Sequence, residues 1–157
     1  MILAARYYDD LKREVLKWLQ SDPQNPLVYS HLSAACHGLG NSIESVRAAM
    51  SLVEISPSNA SYWNLAGFLL LRARANERAE QAFRKAIKLR PDRHNNYRGL
   101  AYALWAQQNY REAVETLRKA KGRSYELRYG YLKEVFDIEL GYILRSWLNN
   151  EATAFDE

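Results

Sequence analysis

Pro23, Pro57 and Pro91 stand 34 residues apart, and the segments between them carry one side-chain pattern in one phase. A period of that length without insertions means stacked copies of a single supersecondary unit. Such a unit cannot bury both of its faces alone, so neighbouring copies must share a continuous core. The chain is thereby restricted to a repeat architecture.

The phase holds position by position. Counting a middle unit from Ala60, an aromatic follows at Trp63 and a small residue at Gly67, then Ala79, Phe83, Ala86 and Pro91. One period back stand Tyr29, Ser33, Ser45, Ala49, Leu52 and Pro57. One period forward stand Tyr97, Ala101, Ala113, Leu117 and Ala120, with Tyr125 where proline belongs. Ser33, Gly67 and Ala101 on a first helix, with Ser45, Ala79 and Ala113 on a second, are short enough for two helix axes to approach closely. Tyr29, Trp63 and Tyr97 are wedges that fill the space between one pair and the next. Pro57 and Pro91 end second helices, because proline donates nothing to the helical ladder and restricts the residue before it.

Caps and periodicity predict helix pairs over about 26–39 with 42–55, 60–74 with 77–89, and 94–107 with 110–121. An earlier helix over about 3–20 places Leu11, Val15 and Trp18 in second-helix phase without a first helix before it. After Gly122 the pattern changes. Leu132, Val135, Phe136, Glu139, Leu140, Ile143 and Trp147 make an amphipathic stripe with three- and four-residue spacing. Tyr131 keeps the aromatic phase of a fourth unit, but Glu134 and Val135 break the small-residue rule. This last helix reads as a cover for the open apolar edge of the array, or alternatively as a docking helix. The expected layout is one domain over 1–157. Its parts are a half-repeat or cap helix (1–22), repeats over 26–59, 60–93 and 94–124, a capping helix over 125–150 and a frayed tail over 151–157.

The pattern of aromatic, small, small–bulky–small and proline resembles the tetratricopeptide repeat (TPR) family over about residues 26–121. The resemblance implies an all-α fold, an α-solenoid: a right-handed superhelix of helical hairpins with flanking capping helices. It also implies that the second, fifth, ninth, twelfth and thirteenth positions of each first helix line a concave groove. In the second unit these are Ser61, Asn64, Phe68, Leu71 and Arg72; in the third, Asn95, Arg98, Tyr102 and Trp105 are the large or polar ones. The first unit offers Leu27, Ser30, Ala34, His37 and Gly38. Carboxamides and guanidinium groups suit a peptide backbone or carboxylate, and the aromatics suit apolar anchors. The competing reading packs Tyr102 and Trp105 on the last helix, filling one end of the groove. Family members that clamp acidic chaperone tails use lysine, asparagine and arginine where this chain has Ser30, Ala34, Asn95 and Gly99, so that specialisation is disfavoured.

Composition narrows the function. Residues 57–124 carry a net charge of +9, against −1 before them and −4 after. That basic stretch suits an acidic partner or nucleic acid, or forms a solvated outer face. Nucleic acid ranks lower, since no nucleic-acid motif accompanies the charge. No apolar run reaches the length of a membrane span, and the N-terminus lacks a secretory pattern, which leaves a cytoplasmic location as the default. The single cysteine, Cys36, falls at an inward position and reads as a buried thiol. His31 and His37 are too far out of helical phase to hold one metal from a single face. No phosphate loop or nucleophile signature is present. The expectation is a scaffold without catalytic, metal or cofactor residues that binds a protein or peptide partner, acidic if the basic stretch takes part. Self-association through the terminal helices and RNA binding are the alternatives; the oligomeric state is open.

Overall fold

The computed structural model describes residues 2–123 and 132–155. Those residues form eight helices: α1 (Ile2–Ser21), α2 (Pro26–Gly38), α3 (Ser42–Ile55), α4 (Ala60–Arg72), α5 (Asn76–Leu89), α6 (His94–Ala106), α7 (Tyr110–Arg123) and α8 (Leu132–Phe155). Consecutive helices pack together, and α2, α4 and α6 also touch in series, which makes them one continuous layer with α3, α5 and α7 behind them. No described helix is long and apolar enough to cross a membrane.

The same devices recur at the repeat interval. Asn25 and Asn59 cap α2 and α4, their side-chain oxygens accepting from the backbone N–H of Leu27 and Ser61 at 3.0 Å. Each turn between paired helices passes through a residue with positive φ: Gly40 (79°), Arg74 (60°) and Gln108 (61°). Each then closes with an N–H reaching back five residues, Asn41 to Cys36, Ala75 to Leu70 and Asn109 to Leu104, at 2.8–2.9 Å. The prolines act at the other end of each unit. Tyr29 and Tyr97 donate their hydroxyls to the carbonyl oxygens of Pro23 and Pro91 at 2.8 Å, and the Trp63 indole N–H donates to that of Pro57 at 2.6 Å. The aromatic wedge thus ties its own first helix to the joint before it.

Close approach between paired helices is achieved in two ways. In the first pair, Ser33 and Ser45 are buried and each hydroxyl donates to the other's backbone carbonyl at 2.9 Å. In the second pair the fully buried Phe83 ring of α5 lies between α4 and α6. A Cβ at Gly67 would sit 2.7 Å from that ring, and one at Gly99 only 2.1 Å from it. The largest cluster of buried residues gathers around Phe83, from Ala49 through Leu104 and Leu117 to Phe136 and Ile143.

α8 is the departure. Ring and charge contacts advance together along α6 and α8, His94 with Phe136 and Arg98 with Glu139, so α8 follows the direction of α6. Between α4 and α6 the linked carboxamides are 31 and 32 residues apart; Arg98 and Glu139 are 41 apart. α8 packs chiefly on α7 and reaches α6 through these side chains. It also runs on through Phe155, beyond the 125–150 expected for the capping helix and into the segment expected to fray. An i,i+4 hydrogen bond from the Trp147 indole to Glu151 at 2.9 Å spans the polar Asn149-Asn150 pair and holds that turn. Tyr125 and Tyr131, the fourth-unit positions, lie outside the described residues.

Candidate functional site

Where α4 and α6 lie side by side, three carboxamides make a chain. Asn96 is buried, and its side-chain N–H groups donate to the carbonyl oxygens of Ala86 and Arg90 at 3.2 Å. With its donors committed, its oxygen accepts from the Asn64 amide at 3.0 Å. Asn64 in turn accepts from Asn95 at 3.3 Å. The outermost member, Asn95, is exposed, and its carbonyl oxygen is able to accept a further hydrogen bond. A buried anchor has fixed which way an exposed amide points.

These residues border a cleft of about 590 Å³ shared with Ser58, Asn59, Ser61, Arg90 and Arg93. Arg90 and Arg93 outnumber the single carboxylate beside them, Asp92, which lies 2.9 Å from the first and 4.0 Å from the second. Arg93 sits at the N-cap of α6 without a side-chain cap bond, whereas Asn59 caps α4 at the equivalent place. The positive end of the α6 dipole is thus left for another acceptor. Arg90 is held to Asp92 by two bonds at 3.0 and 2.9 Å, which lower the Asp92 carboxyl to about 2 and keep it ionised.

Further along the same face the character changes. Arg98 grips Glu139 of α8, its Nε donating to the two carboxylate oxygens at 3.1 and 3.2 Å, and the Tyr102 hydroxyl donates to the same carboxylate. The guanidinium also lies 5.5 Å from the Tyr102 ring centre and 5.9 Å from that of Phe136. The Glu139 hydrogen bond raises the Arg98 pKa. Burial, reinforced by the bond to Glu139, pushes the Tyr102 phenol up to about 12.

The residues expected to line the groove therefore divide. Ser61, Asn64 and Asn95 meet around the cleft. Phe68 stacks edge-on against Phe83 at 4.9 Å, and Leu71 packs on the same core, both only partly buried. Arg72 is exposed. Arg98 and Tyr102 are engaged by Glu139, and Trp105, tilted 6.5 Å from Tyr102, is partly buried. Three contributors escaped the position rule: Asn96, Arg93 and Glu139. Asn96 is buried at the third position of α6, which the groove rule does not include. Arg93 is where the asparagine cap of the other units fails. Glu139 carried a signal, a carboxylate inside the apolar stripe of α8.

Residues 60–93 and 97–126 each match the family model for the tetratricopeptide repeat. A curated relative, the peroxisomal targeting signal receptor of Kluyveromyces lactis, is 32% identical over 101 residues; that stretch is 64% of this chain and 17% of the receptor. The chain therefore matches under a fifth of that relative. Among solved structures, a thermophilic TPR protein of Thermus thermophilus superposes with a TM-score of 0.68 at 16% identity, covering 90% of this chain and 75% of that one. MamA superposes with a TM-score of 0.58 at 16% identity, covering 96% and 92%.

Proposed function

We propose that this chain, two stretches of which match the tetratricopeptide repeat model, is a non-catalytic scaffold of the kind through which such repeats mediate protein–protein interaction. On this reading it holds an extended peptide segment of a partner protein along α4 and α6. The supporting observation is the Asn96–Asn64–Asn95 chain, a row of oriented carboxamides that suits the alternating N–H and C=O groups of a peptide backbone. Arg93 and the uncapped start of α6 favour a carboxylate on that peptide, from an acidic side chain or a free C-terminus. Phe68 and Leu71 offer the apolar floor beyond it. A relative that is a receptor for a targeting signal fits a peptide ligand as well.

The test is capture of partners on immobilised protein, followed by titration of the captured partner's peptides against wild type, Asn64→Ala, Asn95→Ala and Arg93→Glu. Removing one oriented carboxamide should weaken binding by about tenfold, the size of one hydrogen bond that leaves its partner unmatched. Charge reversal should weaken it further and flatten the salt dependence. Unchanged affinity in all three variants ends the proposal. Self-association is the second reading, favoured by Leu3 and Tyr7 on α1 and by Ile138, Tyr142 and Leu148 on α8, all more than half exposed. Light scattering that finds only monomer at high concentration removes it.

A further inference from the structure

The repeat itself supplies an internal control for the outer face. Between α5 and α7 the groove is bridged by polar side chains. Arg84 bonds Glu80 at 3.0 Å and Glu112 at 2.7 Å, Gln107 donates to Glu80 at 2.9 Å, and Asn109 donates to Glu112 at 3.0 Å. One period earlier, between α3 and α5, every member of that bridge is replaced. Val46 stands for Glu80, Met50 for Arg84, Ala73 for Gln107, Ala75 for Asn109 and Arg78 for Glu112. The result is an unbridged trench of about 800 Å³.

Its chemistry is specific. Ile43, Val46 and Met50 follow one another at i, i+3 and i+7 along α3 and form the apolar wall. Ile43 is 77% exposed, where the equivalent places in the next two units hold Glu77 and Arg111. Above this wall stand Arg47 and Arg78, both exposed and neither with an ion-pair partner among the described residues. The lining contains one carboxylate, Glu54, at the far end. An apolar stripe at helical spacing, rimmed by two arginines of which only Arg47 feels a nearby carboxylate, Glu44, is complementary to a helix that is apolar on one face and acidic beside it.

We propose that the α3–α5 trench is a second docking surface, separate from the α4–α6 cleft and on the opposite layer, whose occupant is an acidic amphipathic helix of a partner protein. The probe is a synthetic, end-capped helical peptide of about 15 residues, near the shortest length at which an isolated helix persists. It carries leucines at i, i+3 and i+7 with flanking glutamates, and a twin carries lysines instead. Binding is followed by fluorescence anisotropy at low salt and by the methyl resonances of Ile43 and Met50. The glutamate peptide should bind at least about tenfold more tightly than its twin, the scale of an unscreened charge match, and should shift both methyl signals. Ile43→Asp should abolish binding with the helical circular dichroism intact, and Arg78→Glu should reverse the preference between the peptides. Asn64→Ala should leave this binding alone, which keeps its failure distinct from failure of the inner cleft. Equal affinity for the two peptides, or insensitivity to both trench variants, overturns the proposal. So does a dimer of the peptide-free chain that Ile43→Asp dissolves, which assigns the trench to a second copy.

Discussion

The turns between paired helices are the clearest test at the scale of single residues. All three use the left-handed conformation, but only the first supplies glycine; Arg74 and Gln108 adopt φ of 60° and 61° with a Cβ attached. That conformation costs an ordinary side chain about 1–2 kcal/mol, less the extra entropy glycine loses on folding. Arg74→Gly should therefore raise stability by roughly 0.5–1 kcal/mol. Gly40→Ala should lower it by a similar amount, since a methyl at Gly40 meets nothing within 4 Å and only the backbone objects. Urea denaturation midpoints measure both; a gain from Gly40→Ala would refute the account. The proline–aromatic–small pattern was legible in sequence because each type occupies a place where only its shape fits. The left-handed places were less legible, because arginine and glutamine are poor markers for them. The bonds from Tyr29, Trp63 and Tyr97 to the proline carbonyls were hidden altogether, since spacing does not reveal where a polar tip lands.

Among the elements, α8 was the least predictable. Its stripe announced an amphipathic helix, which Phe136 and Ile143 dock into the core, but that its carboxylate meets Arg98 and Tyr102 across 37 to 41 residues was not foreseeable. Glu139 is the more enclosed partner, 12% exposed against 29% for Arg98. Glu139→Gln should cost about 1–3 kcal/mol, between the figures for exposed and buried pairs. It should also speed hydrogen exchange in α8 more than in α4. The phenol gives an independent pH readout. The Tyr102 pKa is raised from 10.0 to about 12, so the folded chain holds that proton after the unfolded chain has lost it. Its contribution is complete below about pH 10 and fades as the pH climbs towards 12. The stability gap between wild type and Tyr102→Phe should narrow over that interval, as read from denaturation at successive pH values; a constant gap would mean the phenol is not shielded as described.

Across the molecule, charge and core are unevenly shared, and only the first imbalance was visible beforehand. The excess of +9 in residues 57–124 is a count. That Arg84 bridges Glu80 and Glu112, while Arg78 at the preceding trench forms no ion pair among the described residues, needs the register of neighbouring helices in space. The core is uneven because the ring that joins two hairpins exists once. Phe83 fits against glycines of both α4 and α6, but one period earlier that place belongs to Ala49. Amide exchange should accordingly be slowest in α4 to α7 and faster in α2 and α3. Uniform protection along the array would contradict a graded core.

That single phenyl ring has a mechanical corollary. A chain drawn apart from its two ends should yield at the seam between its first and second hairpins, leaving the later hairpins as an intact block. Any guest lying across that seam would act as a splint, and the force needed to part it would then report occupancy.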